Sequence, residues 1–247
     1  MAAKVDITIP VYNEEEALPR TIATLTEFLE SHLANPWQVT IADNASTDST
    51  QAVSEMITRQ YQGVNYLRIS QKGRGRALRT AWLGSHADIV SYMDADLSTD
   101  LSHFPQLIAA LESGSHIAVG SRLSKESQVS RGFKREFISR GYNLLINTMF
   151  FTGLPDAQCG FKALTRATAE AIVPRIQNNN WFFDTELLVI AAKRRFNIAS
   201  VPVKWIDDPA STVNVVGTAK EDVKGLLRLR FGGIPQVVRP ELLSTDL

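Results

Sequence analysis

Over its first half the chain alternates two patterns, and no other feature limits its fold so narrowly. Short β-rich runs occur at residues 5–9, 38–42, 64–69, 89–93 and 117–119. Between them, residues 18–33, 49–61, 76–85 and 101–111 space their apolar side chains as helices do. Strands alternating with helices of this length build parallel βαβ units. The expectation is therefore an α/β fold with a largely parallel central sheet flanked by helices. Pro19 suits the first turn of its helix, which leaves Asn13 and Glu14 on the loop after the first strand. Open α/β sheets bind ligands there, beyond the carboxyl ends of their strands.

The second half is less regular. A helix is expected over residues 135–151, another near Asp184, and a strand over 199–205. No repeat, low-complexity tract or linker divides the 247 residues, so residues 1–235 are expected to form one domain. Residues 236–247, beginning just after Pro235 and containing Pro240, are expected to be a loose tail.

Charge and cysteine content remove several function classes. Lys plus Arg and Asp plus Glu both number 26, and a neutral chain is a poor partner for nucleic acid. One cysteine, Cys159, excludes an internal disulfide and a four-cysteine zinc site, and suits a reducing compartment. The first residues lack the charged-then-apolar pattern of a secretory signal. No run approaches the roughly 20 apolar residues that span a bilayer. The longest, residues 144–154, is interrupted by Asn147. A protein that is cytoplasmic, soluble or lying on a membrane without crossing it, is expected.

The sharpest chemical feature is Asp94-Ala95-Asp96, directly after the run ending at Met93. Two carboxylates one residue apart can each give an oxygen to a hard cation and leave positions for water and phosphate. A loop acid followed by a helix cap would look the same, so the triplet alone is weak. Its neighbours strengthen it. Pro10-Val11-Tyr12-Asn13-Glu14 follows the first strand, and residues 42–48, rich in Asp, Asn, Ser and Thr, follow the second. The latter also read as a turn leading into a helix cap. Lys72-Gly73-Arg74-Gly75-Arg76 follows the third strand, where glycine permits close approach and the cations can neutralise a diphosphate. This is no Walker loop, because no Gly-Lys-Ser/Thr follows, and no Rossmann fingerprint, because the first turn has no glycine.

Taken in order, these segments resemble glycosyltransferase family 2. The likeness continues through Gly120-Ser121-Arg122, Asp156-Ala157-Gln158-Cys159-Gly160-Phe161-Lys162 and Phe183-Asp184-Thr185-Glu186, and covers residues 5 to about 213. Within the family the chain is similar to the dolichyl- or polyprenyl-phosphate hexosyltransferases, and its 158–162 run is closer to the glucosyl branch. The resemblance implies a GT-A fold and inversion at the anomeric carbon. It implies that Pro10, Tyr12, Glu14 and Asp43 hold the nucleoside, with Lys72, Gly73 and Asp94 also on the nucleotide sugar. Asp94 and Asp96 would hold Mg2+ or Mn2+. Arg122, Arg135 and Ser139 match positions that contact an acceptor phosphate, and Asp184 and Glu186 match the catalytic acids.

The residues themselves leave some of these roles open. Residues 122–140 carry six cations against Glu126 and Glu136, which makes a phosphate site or an ordinary solvated loop. Residues 144–154 suit a membrane-surface element or a core helix. Asp184 can be a helix cap and Glu186 a first-turn charge. An acceptor phosphate is already anionic near neutral pH and needs no strong base. One departure stands out: where the polyprenyl-phosphate group has Gly-Ser-Lys, this chain has Ala210-Ser211-Thr212, and Thr212 supplies no charge to a donor phosphate. Lys72 or Lys220 are the candidates to compensate. The expected function is hexosyl transfer from a nucleotide sugar, UDP-hexose favoured, to a polyprenyl or dolichyl phosphate, with peripheral contact on the cytoplasmic face of a membrane. Transfer to a saccharide hydroxyl is the alternative, and a non-catalytic nucleotide-sugar binder is a third reading.

Overall fold

The computed structural model describes residues 2–130, 133–206 and 215–241, with the side chains of 133–135 and 215–217 outside the description. The chain opens β1 (Val5–Val11), α1 (Leu18–His32), β2 (Trp37–Asn44), α2 (Thr50–Gln60), β3 (Val64–Ile69), α3 (Arg74–Gly84) and β4 (Ile89–Met93). It continues through α4 (Phe104–Glu112), β5 (Ile117–Ser121), β6 (Gln128–Ser130), α5 (Phe133–Phe150), β7 (Phe161–Thr165) and α6 (Arg166–Ile172). Last come α7 (Phe183–Lys193), β8 (Ile198–Pro202), β9 (Lys204–Ile206) and α8 (Val215–Gly232).

Seven strands form the central sheet in the order β3-β2-β1-β4-β7-β5-β8. All of them run parallel except β7, which pairs antiparallel with both β4 and β5. The inner strands β1, β4, β7 and β5 are buried on both faces, as strands of helix-covered sheets are, while the edge strands β3 and β8 are partly exposed. In β1, Val5, Ile7, Ile9 and Val11 are buried, and α1 lays Leu18, Ile22, Leu25 and Leu29 against the core. The spacing of those four, by fours and a three, is the apolar stripe of an amphipathic helix. β6 and β9 form a separate two-stranded ribbon.

The strand order places a topological switch at β1. The chain leaves β1 toward β2 and β3 on one side, and β4 returns on the other. Loops after β1 and β4 thus diverge and leave a crevice at the carboxyl ends of the strands.

Four sequence expectations are altered. α3 starts at Arg74 rather than 76, because Asn44 Oδ1 accepts the Gly73 N–H at 2.6 Å and Asn179 O accepts the Arg76 N–H at 2.9 Å. The helix expected from 101 starts as a single tight turn, and the α-helix follows from Phe104 with Pro105 in its first turn. The strand expected over 199–205 breaks at Val203: β8 pairs with β5, while β9 turns away to pair with β6. Finally, β7 was not foreseen. The segment 233–240 has neither helix nor strand, and Arg194 donates to the carbonyls of Ile234 and Pro235. Among the described residues no helix is long and apolar enough to cross a membrane.

Candidate nucleotide-sugar site

Three loops at the carboxyl ends of β1, β2 and β4 converge on the crevice, and each contains a non-glycine residue with positive φ. These are Asn13 (+56°), Ala45 (+61°) and Leu97 (+50°). Such backbone is costly and persists where surrounding bonds hold it, often at functional sites. Here the bonds are evident. Asn13 Oδ1 accepts the Thr47 N–H at 2.8 Å, and the Asn13 N–H donates to Ser46 Oγ at 3.0 Å. The Glu14 N–H donates to Thr50 Oγ1 at 2.8 Å, and Glu15 Oε2 accepts the Ser49 N–H at 2.8 Å. The start of α2 is therefore tied down by residues from the β1 loop.

Asp43, next to last in β2, is wholly buried. It accepts from the Ser46 N–H (2.8 Å), the Tyr66 hydroxyl (2.7 Å) and Arg68 (2.7 Å). It thereby fixes two side chains of β3 beside the crevice, of which Arg68 is exposed. Pro10 lies one residue before the end of β1 in register with Ala42. Tyr12 lies under Lys72, whose Nζ is 3.4 Å from the ring centroid, a cation–π contact. At Gly73, φ is +152° and an added Cβ would stand 2.5 Å from Asn179 O, so only glycine fits this loop–helix junction.

Asp94 and Asp96 follow β4. Asp94 Oδ1 accepts from Arg74 at 2.8 Å. Its Oδ2 lies over Gly160, where an added Cβ would stand only 1.8 Å away, so the glycine provides the room this carboxylate occupies. Asp96 is exposed and its Oδ1 accepts the Ser98 N–H at 2.9 Å. Among the described residues, no group of three or more His, Cys, Asp or Glu is placed to cage a metal ion. Two hard carboxylates at the mouth of the crevice suit a divalent cation that is completed by phosphate oxygens and water. The chemistry of the donor set fits Mg2+ or Mn2+ on these terms.

Arg74 joins this pair to a buried cluster. Its guanidinium donates to Asp94 and, at 2.6 Å, to Asp184 Oδ2, and it stacks 4.8 Å from the centroids of both Tyr92 and Trp181. Asp184 Oδ1 accepts the Tyr92 hydroxyl at 2.5 Å and faces Lys162 Nζ at 3.0 Å. Lys162 is completely buried, which an ammonium tolerates only with partners of this kind. Burial alone would raise the Asp184 carboxyl pKa, but Lys162 and Arg74 outweigh it and lower the pKa. The α7 helix has Phe182 at its N-cap, so Asp184 is not a cap.

Glu186 is also fully buried. Its oxygens accept the N–H groups of Gln177 and Asn178, both at 3.1 Å, and Arg228 of α8 at 2.6 Å. That grip secures the 177–180 loop, whose Asn179 carbonyl in turn receives the first turn of α3.

On the other flank, Arg122 makes a two-pronged pair with Asp156, Nε–Oδ2 at 2.8 Å and Nη2–Oδ1 at 3.1 Å. Burial works against the Arg122 cation, but Asp156 more than offsets it, with Asp94 contributing, and the pKa is raised. Arg122 is thus within electrostatic reach of Asp94. Ser139 lies on α5, half-buried; the Arg135 side chain and the whole of Thr212 lie outside the described residues. Arg74, Tyr92, Lys162, Asp156 and Arg228 were given no individual role from sequence. Lys162 carried a signal, since a lysine between Phe161 and Ala163-Leu164 in a β-rich run needs an acidic partner.

The profile of Glycosyl transferase family 2 matches residues 6–173, more than half of the chain. The chain belongs to glycosyl transferase family 2. Glycosyltransferase AglD of Haloferax volcanii is 33% identical over 216 residues, 86% of this chain and 35% of that protein, so the chain spans about a third of AglD. Dolichyl-phosphate beta-glucosyltransferase of Mus musculus is 30% identical, over 92% of this chain and 75% of the mouse protein. The Dictyostelium discoideum protein of the same name is 29% identical, over 91% and 73%. Among solved structures, glucosyl-3-phosphoglycerate synthase from Mycobacterium tuberculosis with Mn2+ and uridine-diphosphate-glucose superposes with a TM-score of 0.64 at 18% identity. The match covers 95% of this chain and 80% of that one. At that identity the likeness concerns the fold, and this family 2 chain has the GT-A fold expected of it.

Proposed function

We propose that this family 2 protein is an inverting, metal-dependent glycosyltransferase that moves a hexose, from UDP-hexose by preference, to a polyprenyl or dolichyl phosphate. One observation carries the choice of acceptor. Both acids of the Asp184/Glu186 pair are buried and engaged by cations and N–H donors, which suits a nucleophile that brings its own negative charge. A lipid phosphate does so, whereas a saccharide hydroxyl needs a base. The relatives named as dolichyl-phosphate beta-glucosyltransferases point the same way.

In this reading, Pro10, Tyr12, Glu14 and Asp43, with Tyr66 and Arg68, form the nucleoside side, and Lys72 and Gly73 the diphosphate side. Asp94 and Asp96 hold Mg2+ or Mn2+, which when bound neutralises charge on the leaving diphosphate. Arg74 keeps Asp94 oriented, and Asp184 with Lys162 keeps Arg74 in place. Glu186 acts as a positioning residue through the 177–180 loop. Arg122, Arg135 and Ser139 receive the acceptor phosphate, with the protein peripheral on the cytoplasmic face of its membrane. Residues 1–235 work as one catalytic domain followed by a short tail.

Glu186→Gln retains an acceptor for the loop N–H groups but loses the charge facing Arg228. The expected loss of turnover is about 10- to 100-fold, below the upper range for a true general base. Steady-state kinetics checks it, and a loss beyond four orders of magnitude with normal circular dichroism supports the hydroxyl-acceptor reading.

The acceptor assignment is tested at Arg135. Ser139 follows it by four residues on α5, one turn along the same face. Arg135→Lys retains charge but forfeits the two-pronged grip on a phosphate. It is expected to raise KM for a short polyprenyl phosphate about tenfold, with Arg135→Ala worse, and to leave UDP-sugar affinity within about twofold. If Arg135→Ala keeps the acceptor parameters and loses the donor, the assignment is wrong.

A further inference from the structure

Helix α8 has one buried and one exposed face, and the exposed face has an unusual composition. Lys220, Val223, Lys224, Leu227, Arg230 and Phe231 are all exposed. At 100° per residue these six fall within an arc of about 120°. Three are cations and three are large and apolar, and among the described side chains of α8 no acid is exposed: Asp222 is buried and Glu221 is half-buried. Phe231 has 81% of its surface exposed, with no role in packing the core.

Helix α5 touches α8 and continues the same character. It exposes Phe137, Ile138, Leu144, Leu145 and, just beyond its end, Phe151, while its Arg140 pairs with Glu136. Ile146, Phe150 and Leu154 point into the core, so the 144–154 segment has both of the characters its sequence allowed. Two touching helices therefore expose large apolar side chains, and α8 sets its own beside three cations in a chain whose net charge is zero. Scattered exposed apolar residues are ordinary, but Val223, Leu227 and Phe231, spaced by four along α8, form one exposed stripe, and such a stripe marks an interaction surface.

We infer that α8, together with α5, seats the protein on an anionic lipid bilayer, with Val223, Leu227 and Phe231 entering the acyl boundary and Lys220, Lys224 and Arg230 meeting the lipid phosphates. Apolar side chains that enter the boundary beside cations are the pattern of a helix lying in the membrane interface. The cations match the charge of an anionic leaflet, which a second copy of this cationic face does not. The inference extends the lipid-phosphate reading by naming the anchor, yet it stands on surface residues that the reading does not use. The buried side of α8 reaches the site, since Arg228 grips Glu186, and Glu221 accepts from Asn178 and Asn180. Seating α8 therefore sets the height of the crevice above the bilayer.

The test uses the whole chain and vesicles without donor or acceptor. Wild-type protein is expected to co-sediment with vesicles of phosphatidylglycerol and phosphatidylcholine. Binding should weaken at least tenfold on phosphatidylcholine alone or in high salt. Leu227→Glu with Phe231→Glu, both solvent-exposed positions, is expected to lower binding at least tenfold, and Lys224→Gln with Arg230→Gln to lower it severalfold. Both variants should keep wild-type circular dichroism and wild-type turnover of a short, water-soluble polyprenyl phosphate. Wild-type protein that ignores anionic vesicles, or a glutamate variant that binds them undiminished, overturns the inference. So does a wild-type dimer in sedimentation that the glutamate variant dissolves, which would assign the face to a second copy. Failure of transfer to any lipid phosphate, with vesicle binding as stated, would instead fault the acceptor reading alone.

Discussion

Asp96→Ala is expected to lower hexosyl transfer about 1000-fold and to abolish the metal-dependent part of UDP binding. Asp96 is exposed, and its Oδ1 accepts the Ser98 N–H at 2.9 Å. Asp94 is the poorer choice, because Arg74 would lose a partner. Two carboxylates alone bind a divalent cation weakly, so the wild type should take up metal well only with nucleotide present. Calorimetry of UDP with and without Mn2+ checks this, next to steady-state rates. Unchanged metal-dependent binding and turnover in Asp96→Ala would remove the pair from the site.

Asp184→Asn is expected to damage the fold as well as the reaction. The change strips Lys162 and Arg74 of their shared counter-charge inside the protein. Breaking a buried pair from one side costs about 3–5 kcal/mol, which for a chain of this size lowers the melting temperature by about 10 °C. The pH dependence has a definite sign. The Asp184 pKa is lowered from its ordinary 3.8, so its stabilisation is complete above that value and is lost as pH falls below it through the folded pKa. Between pH 5 and 9 the wild-type rate should therefore show no ionisation of this carboxyl. Thermal melts and a pH–rate profile measure both. A variant that melts like wild type yet loses four orders of magnitude in turnover would make Asp184 a proton acceptor and favour a saccharide hydroxyl as substrate.

Legibility in the sequence followed the range of the forces involved. β1 to β4 were readable because each is a local apolar run closed by a polar loop, and the loops carry the motifs of the site. β7 was not, because its sequence contains Lys162, whose burial depends on Asp184 and Tyr92 from distant segments. Arg74 stood in full view within the 72–76 run. Its bridge from Asp94 to Asp184 becomes visible only when α3, β4 and α7 come together. Glu186 looked like a first-turn charge, and its grip on the 177–180 loop needs the loop's backbone N–H groups, which no side-chain pattern reveals. The break at Val203 reflects competition between two sheets for one extended segment. The cationic and apolar face of α8 is periodic in sequence, yet its meaning depends on which side α7 covers.

The most direct test of lipid-phosphate glycosylation is a donor panel offered with a short polyprenyl phosphate and Mn2+, with products read by mass spectrometry and anomeric configuration by NMR. The account predicts a hexosyl polyprenyl phosphate formed from UDP-hexose with inversion at the anomeric carbon. Release of free hexose with no lipid product, alongside transfer to a saccharide hydroxyl, would contradict it.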